Sequence, residues 1–474
     1  MFRLSLIQPP LSAAQRYGGL AAAGNSLPNL GMLQLAAVAR EHGALVQLID
    51  MQAQGCDAQQ VAQSVARFAP QLAGFTAVTI SVAAAAAAAT AIKRLLPDTL
   101  LMLGGPHVSA VPETTLERFV DFDIGVIGEG ERTLIELIDA LSAGTPLEPI
   151  AGLLLRRDHG LQRSAPRGLI NDLDQLPLPA WDLLPQMATR YRPSPQSTAG
   201  LPSAILFTSR GCPYHCTFCD RTVFGNRVRS LSAERVVEMI EHLAQSYGIV
   251  DFAIHDEIFV LDQPRLRRIC ELIIERGLRV SWNAQGRADR LLDAQTLALM
   301  RQAGCWQMQI GIESGDPTIL KLINKGITID DVRVMLRAVR AAGMHTKAFL
   351  MLGLPGETQA TLQRTIELAI ELPLDDITVT LFTPFPGSQA TMDLESYGEL
   401  VGDWRTMSEY EVSFVPSGLS AGQLERARAQ LLRRFYLRPR VIVDYARRML
   451  KPGMAAPLAH GALAFASTIL RETR

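Results

Sequence analysis

The chain has 474 residues, of which 48% are hydrophobic and 20% charged, so it can form packed cores and is not an intrinsically disordered chain. Its 46 Lys and Arg residues against 47 Asp and Glu residues give a formal charge of −1, which argues against nucleic-acid binding driven by overall charge. With no leader pattern and no purely apolar run of about 18 residues, we expect a cytoplasmic protein.

Strands and helices are predicted to alternate in the first third of the chain. Short apolar runs separated by helical periodicity are typical of a doubly wound, Rossmann-like parallel sheet. We interpret the alanine-rich tract 83–89 as a helix packed closely on that sheet. The predicted strands are 3–7, 44–49, 74–80, 100–103 and 124–127.

A second alternating series begins at residue 204 and predicts a partial (β/α)6 barrel of the TIM type. Chemistry in such a barrel lies at the carboxyl ends of the strands. The predicted strands are 204–208, 251–255, 280–284, 306–311, 346–351 and 376–381. We therefore divide the chain into an α/β domain at 1–145, a Pro-rich linker at 146–200 with room for a small hairpin, the barrel at 201–395 and a helical region at 396–474.

Three of the six cysteines lie within eight positions, directly after the first barrel strand. Crowding of this kind indicates a metal site in a reducing compartment rather than a disulfide framework. The spacing of Cys212, Cys216 and Cys219 can hold three irons of a four-iron cluster and leave the fourth iron open for chemistry. A structural zinc site completed by His215 is the alternative, but the position at the top of a barrel strand disfavours it.

The segment Gly211-Cys-Pro-Tyr-His-Cys-Thr-Phe-Cys219 resembles the motif of the radical S-adenosylmethionine superfamily. The resemblance implies that Cys212, Cys216 and Cys219 bind a [4Fe-4S] cluster. It also implies that the free iron chelates S-adenosylmethionine, which is cleaved to a 5′-deoxyadenosyl radical. Phe218 matches the family's aromatic position near the adenine, with simple packing of the loop as the alternative.

Later strand ends supply further candidates. The segment 309–315 resembles the family's strand-four element, and the segment 353–358 fits both a tight turn and a cofactor contact. Arg287 could bind the carboxylate of the cofactor or form a surface salt bridge. Glu257 follows the second strand, although the family's usual Gly-Gly-Glu is missing there. The candidate cofactor contacts are Glu257, Arg287, Gly311, Glu313, Ser314 and Gly353.

Strand ends in the first domain resemble the cobalamin-binding pattern D-x-H-x-x-G, S-x-L, G-G. The matching candidates are Asp50, Gln52, Gly55, Ser81, Gly104 and Gly105. Gln52 occupies the position of the histidine that ligates cobalt, and an amide is a much weaker ligand. The resemblance therefore implies cobalamin bound base-off with no protein histidine on cobalt. His107 is expected on the side of the nucleotide tail, and Glu129 and Glu131 are expected to have a structural or domain-contact role.

Over roughly residues 1–395 the chain resembles cobalamin-dependent radical S-adenosylmethionine enzymes of the anaerobic magnesium-protoporphyrin monomethyl ester cyclase and hopanoid-modifying group. This implies modification of an unactivated carbon in a small-molecule, lipid or tetrapyrrole substrate, with a low-potential electron donor such as flavodoxin or ferredoxin. Methyl transfer is the first choice, and oxidative ring formation or another rearrangement is the alternative.

Two other classes of protein are alternatives to this family. One is a non-catalytic iron-sulfur and cobalamin electron-transfer protein. The other is an RNA-methylthiolating enzyme, which would carry three further cysteines near its N-terminus, whereas only Cys56 precedes the motif here. We therefore expect no nucleic-acid partner.

Basic residues interleaved with aromatic residues lie between Arg426 and Lys451. They predict either the solvated face of a helical cap or a peripheral contact with an anionic membrane. The apolar stretch 455–470 is too short and too interrupted for a membrane span.

Overall fold

A computed structural model describes residues 1–191 and 193–472, with the backbone alone for residues 22, 23 and 467–472. The first sheet has seven strands, in the order β2-β1-β3-β4-β5-β6-β7. The first five strands are parallel, and β6 and β7 form an antiparallel hairpin that extends the sheet. The strands are β1 Arg3–Gln8, β2 Leu45–Asp50, β3 Leu72–Thr76, β4 Leu100–Gly104, β5 Ile124–Val126, β6 Leu153–Arg157 and β7 Gly160–Arg163.

Helices cover both faces of this sheet, as a doubly wound parallel arrangement requires. The alanine-rich tract lies in α5, where Ala85, Ala88 and Ala89 are fully buried. The helices are α1 Ala13–Tyr17, α2 Leu30–Glu41, α3 Met51–Gln54, α4 Ala58–Phe68, α5 Val82–Leu95, α6 Pro106–Ala110, α7 Pro112–Arg118 and α8 Glu131–Ala143, with α9 Met187–Arg190 in the connection to the second sheet.

The second sheet has six parallel strands in the order β15-β14-β13-β12-β11-β8 and curls into a partial barrel. A two-stranded ribbon of β9 and β10 adjoins its first strand. The strands are β8 Ser203–Leu206, β9 Ser209–Arg210, β10 Arg229–Ser230, β11 Asp251–Ile254, β12 Ser281–Gly286, β13 Cys305–Glu313, β14 His345–Leu352 and β15 Asp376–Leu381.

The barrel helices begin at side-chain caps, which satisfy the free N–H groups of the first helical turn. The helices are α10 Ala233–Tyr247, α11 Gln263–Glu275, α12 Ala294–Gln302, α13 Pro317–Leu322, α14 Ile329–Ala341 and α15 Gln359–Glu371. The predicted fold class, a Rossmann-like α/β domain followed by a partial barrel, is confirmed.

The C-terminal region contains a short hairpin, β16 Gly398–Leu400 and β17 Phe414–Pro416, and three helices, α16 Ala421–Tyr436, α17 Pro439–Met449 and α18 Ala455–Glu472. Asp376, at the start of β15, anchors α16 and α17. Its carboxylate accepts hydrogen bonds from Tyr436 at 2.7 Å and Tyr445 at 2.8 Å. Within the described residues, no helix has the combined length and apolar character required to cross a bilayer.

Candidate active site between the two sheets

A cavity of about 980 Å³ lies between the two sheets, at the carboxyl ends of their parallel strands. Ligand sites of doubly wound sheets and of barrels both occur at these ends. The volume is at the upper end of the range for small-molecule pockets. The strand-end residues that line the cavity are Gln8, Thr76, Gly104 and Val126 from the first sheet, and Phe207, His255, Gln285, Gly311, Met351 and Thr380 from the second sheet.

The three motif cysteines all line this cavity, on the loop that follows β9. Cys216 is buried, Cys212 is half-buried and Cys219 is open to the cavity. Burial raises the pKa of the Cys212 thiol, and it raises the pKa of Cys219 to about 12. Among the described residues, no three His, Cys, Asp or Glu side chains converge on a single metal position. A four-iron cluster does not need such convergence, because each thiolate binds a different iron.

Asp256 fixes the start of the cysteine loop from beneath. Its fully buried carboxylate accepts hydrogen bonds from Thr208, through N at 2.5 Å and Oγ1 at 2.5 Å, and from the Ser209 N–H at 3.1 Å. Arg265 donates to the carbonyl oxygen of Thr208 at 2.9 Å. The buried carboxylate is therefore satisfied by the residues that lead into the motif.

Arg287 is buried beside the cysteines, and its ion pair is with the half-buried Asp289 rather than at the open surface. Its side chain is 5% exposed, its Nε donates to Asp289 at 2.9 Å, and its Nη1 lies 3.8 Å from the sulfur of Cys216. The guanidinium also lies 3.5 Å above the ring of Tyr214 and donates to the backbone carbonyl of Lys325. Arg287 therefore ties the cysteine loop to the segment that follows α13.

Glu313 and Lys325 form a buried ion pair on the cavity wall. The Nζ of Lys325 donates to Glu313 Oε1 at 2.7 Å and lies 5.9 Å from the ring centroid of Phe218. Glu313 has φ of +68°, an unusual value for a side chain that is not glycine. A Cβ at Gly311 would come within 2.6 Å of Glu313 Oε1 and 2.8 Å of Lys325 Nζ, so a larger residue there would displace the ends of both side chains.

Two predicted contacts from the later strands do not line the cavity. Ser314 is fully buried, and its hydroxyl accepts from the N–H of Asp316 at 3.1 Å. Gly353 has φ of +80°, and its N–H donates to Glu357 Oε2 at 2.6 Å. These contacts favour the tight-turn interpretation of the segment 353–358 over direct contact with a cofactor.

Glu257 does line the cavity, just beyond β11. Burial raises the pKa of its carboxyl group, and the neighbouring Asp256 raises it further. His255 lies two residues earlier on the same wall, where burial and then Lys347 lower the pKa of its imidazole to about 4. His255 is therefore neutral at physiological pH and can donate or accept a hydrogen bond.

The candidates from the first sheet separate into two groups. Ser81, Gly104 and Gly105 line the cavity, whereas Asp50, Gln52 and Gly55 do not. Asp50 instead accepts a hydrogen bond from Tyr191 at 2.9 Å, and Gly55 ends α3 in the left-handed conformation. The physical reason is strand order, because β2 is an edge strand and the crevice of this sheet lies between β1 and β3.

His107 is buried away from the cavity. Its Nδ1 lies 3.2 Å from Thr79 Oγ1, and its ring packs edge-on against Trp404 at 4.4 Å. Its Nε2 has no hydrogen-bond partner among the described residues. Burial lowers the pKa of His107 to about 4.

Buried ion pairs join the first sheet to the cysteine loop. Glu129, just beyond β5, accepts hydrogen bonds from Arg229 at 2.8 Å and from Arg210 at 2.8 Å. Arg210 also pairs with Glu131 at 2.6 Å, and it stands two residues before Cys212. These contacts give Glu129 and Glu131 the domain-contact role that the sequence suggested.

Comparison with known proteins identifies the family. The model of the radical SAM superfamily matches residues 206–369, and that of the B12 binding domain matches residues 18–138. An uncharacterized methyltransferase from Pyrococcus horikoshii is 32% identical over 445 residues, which cover 94% of each chain. The chain belongs to the cobalamin-dependent radical S-adenosylmethionine enzymes.

Two further comparisons place this radical S-adenosylmethionine enzyme among its relatives. The anaerobic magnesium-protoporphyrin IX monomethyl ester cyclase of Cereibacter sphaeroides is 28% identical over 386 residues, which cover 80% of this chain and 62% of the cyclase. The solved structure of the radical S-adenosylmethionine methyltransferase TsrM from Kitasatospora setae, with cobalamin and a [4Fe-4S] cluster bound, shares the fold. Its TM-score is 0.70 at 20% identity, with 93% of this chain and 90% of that chain covered.

The sequence alone did not indicate Lys325 and Arg210 as residues of the candidate site. Lys325 lies twelve residues beyond Glu313, in a segment with no recognisable motif. Arg210 is part of the run that precedes Cys212, and its closeness to the motif was the only available signal.

Proposed function

We propose that this enzyme methylates an unactivated carbon of a small-molecule or lipid substrate, using a [4Fe-4S] cluster, S-adenosylmethionine and cobalamin. One cavity lined by the three motif cysteines and by the ligand edge of the first sheet carries the proposal. When bound, these groups supply a radical that removes hydrogen from the substrate and a methyl group that replaces it. In this proposal residues 1–145 bind cobalamin, and residues 146–200 connect this domain to the barrel. Residues 201–395 carry the radical chemistry, and residues 396–474 cap the barrel.

The donor set of the cysteine loop fits an iron-sulfur cluster. Cys212, Cys216 and Cys219 would be the iron ligands, and no other cysteine among the described residues lines the cavity. The guanidinium of Arg287, 3.8 Å from Cys216, would stabilise thiolate charge. An iron-bound thiolate carries negative charge in a largely apolar pocket, so a buried cation beside it lowers the energy of that state.

The cavity wall beside the cysteines has the chemistry required to hold S-adenosylmethionine. Glu313 and Lys325 offer one anion and one cation, which complement the amino and carboxylate groups of the methionine end. Phe218 offers an aromatic face for the adenine, and Gly311 leaves space beside the ion pair. These residues would position the sulfonium next to the cluster, while Glu257 faces the remaining space.

The first sheet fits a flat macrocycle. Ser81, Gly104 and Gly105 form a wall of small side chains, and a Cβ at Gly104 would meet nothing closer than 3.8 Å. None of the described first-sheet residues that line the cavity is a histidine. This lining supports the absence of a first-sheet histidine on cobalt, and the displaced nucleotide base is proposed from the resemblance to the cobalamin-binding pattern.

Methyl transfer is favoured by the names of two proteins in the comparisons, the Pyrococcus horikoshii methyltransferase and TsrM. The similarity to the cyclase of Cereibacter sphaeroides keeps oxidative ring formation as the second candidate. Both reactions need electrons for the cluster, so a low-potential donor such as flavodoxin or ferredoxin is part of the proposal.

The cofactor assignment is tested by reconstituting the enzyme anaerobically with iron, sulfide and hydroxocobalamin. We expect Cys212→Ala/Cys216→Ala/Cys219→Ala to lose the iron but keep cobalamin, because the two groups bind different sheets. Cys56→Ala is the matched control, since Cys56 is half-buried and lies outside the cavity lining. A triple variant that retains wild-type iron, or a wild-type chain that retains no cobalamin, would contradict the proposal.

A further inference from the structure

The outward face of α17 is apolar, although this helix lies at the protein surface. Ile442 is 51% exposed and Val443 is 47% exposed, and Leu450 in the following turn is 85% exposed. Leu437, in the turn before the helix, is 60% exposed. A surface helix normally turns its apolar stripe toward the core, so this arrangement is inverted.

Side chains on the inward face of α17 hold the helix against the rest of the protein. Tyr445 donates to the carboxylate of Asp376 at 2.8 Å, and Arg448 donates to the backbone carbonyl of Pro195 at 2.8 Å. Val441 is the buried apolar residue of the helix, at 2% exposure. Polar bonds therefore dock α17 onto the barrel, and Ile442, Val443 and Leu450 are not required for docking.

Exposed cations accompany the apolar stripe along one side. At about 100° per residue, Ile442 and Val443 lie roughly 100° apart on the helix and Leu450 projects between them. Arg447 lies about 40° beyond Val443, and Lys451 follows in the turn after the helix. The side chains of Arg447 and Lys451 are exposed and form no hydrogen bond or ion pair with a described residue. The surface formed by Ile442, Val443, Arg447, Leu450 and Lys451 is called the α17 face below.

The charge of this region differs from that of the rest of the chain. Residues 426–451 contain nine basic residues and one acidic residue, Asp444, in a chain whose net charge is −1. An apolar stripe flanked by cations complements the boundary between lipid headgroups and acyl chains of an anionic bilayer.

We propose that the α17 face binds anionic lipid membranes peripherally, with the apolar side chains inserted between headgroups and the cations on lipid phosphates. The helix would lie in the plane of the membrane surface rather than cross it. The proposal does not depend on the reaction catalysed, because the α17 face shares no residue with the cavity between the sheets.

The test is sedimentation of the full chain with lipid vesicles. Vesicles of phosphatidylcholine alone are compared with vesicles that contain about 30 mol% phosphatidylglycerol, at about 0.1 M and about 0.5 M salt. We expect binding to the anionic vesicles, weaker binding at high salt and little binding to phosphatidylcholine. No sedimentation with anionic vesicles at low salt would overturn the proposal.

Two variants separate the apolar and the ionic contributions. Ile442→Gln/Val443→Gln should lower the vesicle partition coefficient by at least about tenfold, because inserted apolar area is lost. Arg447→Gln/Lys451→Gln should reduce the preference for anionic vesicles. Val334→Gln on α14, where Val334 is 40% exposed, is the control and should bind as wild type.

Matching thermal unfolding midpoints would show that the variants are folded, since these side chains are exposed in the wild type. Wild-type binding by Ile442→Gln/Val443→Gln would overturn the proposal. A wild-type dimer that this variant converts to a monomer, with no vesicle binding by either, would also overturn it and would make the α17 face an interface between two copies.

Discussion

Glu129 in the first domain and Arg229 beside the cysteine loop form an ion pair whose side chains are 2% and 1% exposed. Arg229 also donates to the carbonyl of Ile170 at 2.7 Å, and the Ile170 N–H donates to Glu129 at 2.7 Å. With Arg210, the pair ties β5 of the first sheet to the β9–β10 ribbon. The spacing of the two sheets that line the cavity therefore depends on a buried charged contact.

Glu129→Gln should destabilise the protein strongly. The substitution removes the carboxylate and leaves Arg229 as a buried cation, which typically costs about 3–5 kcal/mol of unfolding free energy. Denaturant unfolding measures the change. Glu113→Gln is the control, because the Glu113–Arg163 pair is 47% and 55% exposed and should contribute at most about 1 kcal/mol. Equal losses in the two variants would refute a special role for the buried pair.

Lys325→Met should weaken the binding of S-adenosylmethionine. The variant removes the only cation bonded to Glu313 among the described residues, so the dissociation constant should rise about tenfold, or about 1.4 kcal/mol. Binding to the reconstituted enzyme is followed by the change in the electron paramagnetic resonance signal of the reduced cluster. Lys325→Arg should retain binding, and the exposed Lys321→Met should behave as wild type. Normal binding by Lys325→Met would remove Lys325 from the site.

Bound cob(II)alamin should lack the nitrogen hyperfine splitting of a coordinated imidazole. The reason is that the proposal displaces the nucleotide base from cobalt, and the described first-sheet residues lining the cavity include no histidine to replace it. Gln52→His should leave the spectrum unchanged, since Gln52 is exposed and outside the cavity. Nitrogen splitting in the wild type would contradict the base-off proposal, and new splitting in Gln52→His would place β2 at the cobalt.

The buried carboxyl group of Glu357 should make the free energy of unfolding fall as pH rises. Burial raises the pKa of its carboxyl group from 4.5 to about 8, so the folded chain retains a proton that the unfolded chain releases. Stability is then greatest below pH 4.5 and falls as pH rises toward 8. Glu357→Gln mimics the protonated acid, and its stability relative to wild type should increase by up to about 3 kcal/mol between pH 6 and pH 8.

Denaturant unfolding at both pH values checks this prediction. Glu371→Gln, at an exposed carboxylate at the end of α15, is the control and should follow the pH dependence of wild type. A difference between Glu357→Gln and wild type that does not change with pH would show that Glu357 is ionised in the folded protein.

The strand pattern was largely predictable because buried parallel strands are continuous apolar runs. The prediction for β15, residues 376–381, matches the structure, and the other barrel strands differ only at their ends. The prediction of a strand at 74–80 was wrong at both ends. The strand β3 ends at Thr76 because Ser81 turns back to bond Val78, and a local turn of this kind leaves no apolar signature.

The parts of the candidate site that lie within one continuous sequence motif were predictable. The cysteine loop and Gly311-Ile-Glu313 are continuous motifs, and all of their proposed ligands line the cavity. Asp50, Gln52 and Gly55 do not line the cavity, because they follow the edge strand β2, and a motif match does not reveal strand order. Lys325 was missed because its role depends on a contact with Glu313 that only the folded chain creates.

We propose that this chain cleaves S-adenosylmethionine by radical chemistry and transfers a methyl group. This is tested most directly by reducing the anaerobically reconstituted enzyme in the presence of S-adenosylmethionine. The products 5′-deoxyadenosine and S-adenosylhomocysteine are then quantified by mass spectrometry. We expect both products, because one S-adenosylmethionine molecule supplies the radical and another supplies the methyl group. Deoxyadenosine without S-adenosylhomocysteine, with cobalamin retained, would contradict methyl transfer and favour oxidative ring formation.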